Sequence, residues 1–90
     1  MSKDTPTNST LFRALGLLEE VVTAQHPISA ADLEKRFEIP KPTVHRLLKQ
    51  LEEQQLISRD LDGRHLLPGP RFRRMSLGAL ANEGLKVPRR

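Results

Sequence analysis

The sequence predicts a mainly α fold with one small β-hairpin, on three observations. Two stretches of helical apolar spacing, one ending near Phe37 and one starting near Lys41, are separated only by Glu38, Ile39 and Pro40. The residues after Gln55 are broken by Asp62-Gly63, a pair that suits a tight hairpin turn because both residue types tolerate a positive φ. A further helical pattern opens after Pro68-Gly69-Pro70. Two short helices joined by a short turn and followed by a hairpin make a winged helix-turn-helix, here with a linker helix behind it.

The first helix is expected from about Thr10 to Ala24. Leu11, Leu15, Leu18 and Val22 recur at the spacing of one buried stripe, with Ala14 and Val21 beside them. Ser9 or Thr10 can cap its open amides, and His26-Pro27 ends it, because a residue before proline is pushed out of the helical region. Ile28 is left extended. Ser29 with Asp32 three residues on is a capping-box pattern, so helix two runs from Ala30 to about Phe37 with Leu33 and Phe37 inward. Helix three, about Lys41 to Gln55, places Val44, Leu47, Leu48 and Leu51 on one stripe and accepts Pro42 in a first turn whose amides lack helical partners. Residues 56–60 read as a strand and residues 64–67 as its return. A core of Leu15, Leu18, Leu33, Val44, Leu47 and Leu51 is expected. Behind the hairpin, Phe72, Met75 and Ala79 or Leu80 share one side of the last helix.

Ninety residues suffice for one small core. The expected organisation is a disordered tail over 1–9, the winged unit over 10–68, and over 69–90 a linker helix with the start of a further, missing domain. There is no apolar run near the roughly 18 residues of a membrane span, and Met1 to Asn8 lacks the apolar stretch of a secretory signal. No membrane partner and a cytoplasmic location are therefore expected. Cysteine is absent and the three histidines lie far apart, which removes disulfides, thiolate zinc and a local histidine pair. Ser29, Ser58 and Ser76 stand in no nucleophile elbow, and Gly63 and Gly69 in no phosphate loop. Neither a metal, a cofactor nor catalysis is expected.

Charge points elsewhere. Residues 1–40 hold four basic and six acidic side chains, whereas residues 41–90 hold eleven and five, so the +4 excess lies in the second half. Such asymmetry suits a polyanion. With three Phe and no Tyr or Trp, the stacking platforms of single-strand binders are missing, which favours duplex DNA. On the face of helix three opposite its core stripe stand Pro42, Arg46 and Lys49, flanked by His45, Gln50 and Glu53. Lys41, Pro42 and Thr43 occupy the first turn, where recognition helices approach base edges and free amides can meet a phosphate. Arg46 can span O6 and N7 of a guanine, and Lys49 suits a phosphate. His45 can donate to a phosphate or a base, or stand idle. Ser29, at the tip of helix two, joins the DNA-facing set. In the wing, over 57–67, Arg59, Arg64 and His65 can reach a flanking groove, where the potential favours cations. Arg71, Arg73 and Arg74 fit solvated helix surface equally well. One alternative is a winged helix used for protein contact, which would show an apolar or acidic face on helix three where this chain shows Arg46 and Lys49; a different DNA-binding winged-helix family, which would leave the chemistry and change the dimer, is another.

The runs Leu11-Phe12-Arg13-Ala14-Leu15, Pro27 to Leu33, Ile39-Pro40-Lys41 through Leu48, and Arg59-Asp60-Leu61-Asp62-Gly63-Arg64 together resemble the IclR family of bacterial transcription regulators, from about Leu11 to Leu80. Gly69-Pro70-Arg71 resembles that family's entry to an interdomain helix. The resemblance implies homodimers or tetramers on palindromic double-stranded operators, and a small organic effector bound by a C-terminal domain that these residues do not include. Two positions depart from the family pattern: Pro42 stands where a small residue is usual, and Glu38 where glycine is common. A left-handed turn at Glu38 would cost about 1 kcal/mol, so a turn of another shape is the expectation.

Overall fold

Ser9 opens the first element: its hydroxyl accepts the amide of Phe12 at 3.0 Å, and its carbonyl accepts that of Arg13. The computed structural model describes residues 9–86, so residues 1–8 of the expected tail and 87–90 of the last segment lie outside the described residues. Within it run α1 (Thr10–Thr23), α2 (Ala30–Phe37), α3 (Lys41–Glu53), β1 (Ile57–Arg59), β2 (Leu66–Pro68) and α4 (Pro70–Lys86). The mainly α fold with one antiparallel hairpin stands as predicted.

The core gathers on α3. Val44, Leu47 and Leu48 are completely buried, and α1, α2 and β1 all pack on this helix. Leu17, Leu18 and Val21 of α1, Leu33 of α2, and Ile57 and Leu66 of the hairpin complete the cluster with Ile28, Ile39 and Leu51. Helix α1 buries Leu18 of the expected stripe and Val21 beside it, but its buried face is rotated away from Leu11 and Leu15. Leu15 and Leu11 are 48% and 62% exposed, while Leu17 is fully buried. The leucine-rich helix offers two overlapping apolar stripes, and the one with Leu17 is buried. A Cβ at Gly16 would sit 3.1 Å from the Phe37 ring, so that ring packs closely on α1 beside the buried Leu17. Arg36 and Glu20 pair across the same contact.

Helix α2 carries the full capping box: Ser29 Oγ accepts the Asp32 amide at 3.2 Å, and Asp32 Oδ2 accepts the Ser29 amide at 2.9 Å. It ends at Glu38, which adopts φ 53° and ψ 41°. The turn is therefore left-handed despite the missing glycine, against the expectation of another shape. Burial of Ile39 immediately after it outweighs the local strain of about 1 kcal/mol. Helix α3 stops two residues early, at Glu53. Gln55 takes φ 62°, its amide donates to the Glu52 carbonyl, and the Leu56 amide reaches back to Leu51. That closure satisfies carbonyls of the last turn and turns the chain into β1.

The hairpin pairs Ile57 with Pro68, Ser58 with Leu67 and Arg59 with Leu66. Each strand is only three residues long, shorter than the two runs expected, because Arg64 and His65 are held in the loop instead of the ladder. Ile28 adds an isolated bridge to Leu66, whose amide donates to the Ile28 carbonyl at 2.8 Å. Gly69 joins hairpin to α4 at a point of closest approach: a Cβ there would fall 2.4 Å from the Gln55 carbonyl oxygen. The Gly69 amide donates to Leu56, and the Arg71 amide to Gln55. Phe72 packs against the core, while Met75, Leu77 and Leu80 remain exposed along α4.

Leu47→Ala is expected to cost about 2 to 5 kcal/mol in urea unfolding, since it empties a fully enclosed site. Leu15→Ala should cost about 1 kcal/mol or less, and Arg64→Ala about 0.5 kcal/mol or less. Equal losses for Leu47 and Leu15 would contradict the burial described.

Candidate nucleic-acid interface

A shallow groove of about 400 Å³ opens between the start of α2, the start of α3 and the hairpin loop. Six of the ten residues singled out from the sequence line it: Ser29, Lys41, His45, Arg59, Arg64 and His65. Ala30 and Ala31 keep its α2 wall low. Pro42, Thr43, Arg46 and Lys49 continue from it along α3. Pro42, Arg46 and Lys49 are exposed and Thr43 is half-buried.

The ten differ in what already holds them. Among the described residues, Lys41, Arg46, Lys49 and Arg64 make no side-chain ion pair. Arg59 is engaged: its Nε donates to Glu52 Oε2 at 2.7 Å and its Nη1 to the Gly63 carbonyl at 3.2 Å. It ties hairpin to α3. His65 Nδ1 lies 2.9 Å from Asp60 Oδ2, and His45 Nε2 lies 3.4 Å from Glu34 Oε2. The Ser29 hydroxyl is committed to the α2 cap. At the tip of α3, the amides of Thr43 and Val44 both donate to the Pro40 carbonyl at 3.0 Å, and Pro42 has none. The amide-rich tip suggested by the sequence thus reduces to the amide of Lys41. Of the arginines after the hairpin, Arg71 is fastened to Gln54 at 2.7 Å.

Three acidic residues shape the site and were not singled out from the sequence. Glu34 and Glu52 act across elements, at separations where no local pattern exists. Asp60 had a readable signal, since aspartate at the head of a turn commonly accepts amides from the residues after it. Its carboxyl is held below the ordinary range, first by the His65 side chain and then by the His65 amide. That of Asp32 is held down by the Ser29 amide and hydroxyl. Among the described residues no group of three or more His, Asp or Glu could hold a metal, and no helix is long and apolar enough to cross a membrane.

Comparison with known proteins adds a family. Residues 8–65 match the model of the MarR family. The chain belongs to the MarR family. This match overturns the resemblance to the IclR family. The segments that carried the resemblance are, in the structure, the start of α1, the link into α2, the turn into α3 with the first half of that helix, the hairpin loop and the entry to α4. These are working parts of a winged helix as such and do not separate one winged-helix family from another. This MarR-family chain is 39% identical over 77 residues to the probable transcriptional regulator SauR of Cupriavidus necator, covering 86% of this chain and 31% of that protein. In fold it is similar to the Agobacterium tumefaciens repressor BlcR, with a TM-score of 0.68 and 31% identity over 89% of this chain and 32% of that one. The chain thus spans about a third of the length of each of these relatives.

Asp32 and Asp60 have carboxyls lowered by folding, so their contribution to stability is complete above the ordinary carboxylate range and is lost as pH falls through the lowered values. Melting temperature should therefore drop below about pH 4. The Asp32→Asn/Asp60→Asn variant should show a shallower acid-side drop between pH 5 and pH 2.5. An identical acid profile in the variant would refute this assignment.

Proposed function

We propose that this chain is a DNA-binding module of a bacterial transcription regulator, with α3 lying in the major groove of duplex DNA and the hairpin loop over the flanking groove. One observation carries the reading: the exposed side of α3 presents Arg46 and Lys49, unpaired among the described residues, in line with a groove that holds Lys41 and Arg64. Basic side chains on the open face of a buried helix suit a phosphate-flanked groove, and the same face would be poor for an apolar partner. The relatives' names, a probable transcriptional regulator and a repressor, support the same reading.

In this arrangement Arg46, one turn into α3, makes a bidentate contact to a guanine edge, which discriminates by about 1 to 3 kcal/mol. Lys49, Lys41 and Arg64 meet backbone phosphates. Arg59, His65 and Ser29 line the groove and shape its wall, since polar atoms of each already have protein partners.

Two copies of the chain would read two half-sites. Leu11, Phe12 and Leu15 on α1 and Met75, Leu77 and Leu80 on α4 are exposed, and joining them between copies would remove apolar surface from water. Sedimentation should show a concentration-dependent dimer that Leu80→Glu weakens. A monomer at millimolar concentration would remove this part of the reading.

Selecting bound duplexes from a random pool tests the whole. Arg46→Ala should relax preference at one base pair, while Lys49→Ala should weaken all sequences alike and lower the salt slope by about one unit. Retention of no duplex by the wild type would defeat the reading, and an unchanged selected site in Arg46→Ala would defeat the role of Arg46.

A further inference from the structure

Building on the DNA-binding reading, we propose that Asp60 is a positioning residue for the wing, its carboxylate folding residues 60–65 into the shape that sets Arg64 at the mouth of the groove. Strands of three residues are too short to define the loop between them, because so small a ladder is marginal on its own. The loop takes its shape from one side chain instead. Asp60 Oδ1 accepts the amides of Arg64 at 3.0 Å and His65 at 3.2 Å, and Oδ2 meets His65 Nδ1 at 2.9 Å. Two backbone bonds close the same loop: the Asp60 amide donates to the His65 carbonyl at 3.0 Å, and the Gly63 amide to the Asp60 carbonyl at 2.9 Å. Gly63 supplies the positive φ, 74°, that this path requires. Arg59 then fixes the folded loop against α3 through the Gly63 carbonyl and Glu52. Arg64 is left with its amide captured and its guanidinium exposed beside Lys41 and His45.

The sign of the effect separates this role from a simple charge effect. A carboxylate beside a polyanion is repulsive, so if Asp60 acted only through its charge, removing it would tighten DNA binding. If it acts by holding Arg64, removing it weakens binding, because a loose loop must be ordered at each binding event. Asp60→Asn separates the two further. The amide oxygen still accepts both backbone amides while the charge is gone.

The test is DNA affinity at fixed salt on a selected duplex, well below the melting temperature of every variant, for the wild type, D60A, D60N, R64A and D60A/R64A. D60A should bind about tenfold more weakly, and D60N at least as tightly as the wild type. The loss caused by R64A should shrink from about tenfold in the wild type to about twofold or less in D60A. A D60A protein that binds as tightly as the wild type, or an R64A loss equal in both backgrounds, overturns the proposal. Amide exchange at Arg64 and His65 in the DNA-free protein reads the loop alone and should quicken about tenfold in D60A; unchanged exchange also overturns it. A wild type that retains no duplex at all would defeat the DNA-binding reading instead, and amide exchange would still decide whether Asp60 holds the loop.

Discussion

Leu47 and Leu48 are neighbours on α3 and both are completely buried. Adjacent helical residues point about 100° apart, so the cover over this helix must be a broad one. Helices α1 and α2 form one part of it and the hairpin the other. Everything else is arranged around this demand. The turn at Glu38 brings α2 back over α3, the closure at Gln55 throws β1 against its far flank, and the remaining face, with Arg46 and Lys49, is the part of the helix left to meet anything outside.

The elements were legible because they are marked by chemistry local in sequence. Ser29 and Asp32 specify the start of α2, Pro42 the start of α3, and Asp62-Gly63 the hairpin turn. Less legible was the face of α1. In a run containing Leu11, Leu15, Leu17, Leu18, Val21 and Val22, periodicity admits two stripes, and the contacts that accompany the observed one, such as Phe37 against Gly16, come from another helix. The family was not legible for a related reason: the residues that carry the resemblance build the three helices, their turns and the wing, parts that other winged helices also need. The end of α3 also shifted, because the left-handed Gln55 carries no glycine to announce it.

The candidate site divides along the same line. Residue type identified the cations and the groove where most of them meet, but not which of them have protein partners. Arg59 and Arg64 look equivalent in the sequence; one is bound to Glu52 and Gly63, and the other is exposed. The difference arises from carboxylates contributed by separate elements. Charge counts treat such acids as dilution of a basic surface, whereas here Asp60 and Glu52 organise it.

The single bridge between Ile28 and Leu66 bears on how the protein behaves in a crowded solution. A two-stranded hairpin has open edges, and an open edge is a template on which another chain can add a strand. On the β2 side, Ile28 occupies the Leu66 position with a backbone hydrogen bond, and two residues later Pro68 has no amide to donate. The stretch left for a foreign strand is therefore shorter than one needs for a stable ladder. A segment that connects two helices thereby also covers the β2 edge of the wing.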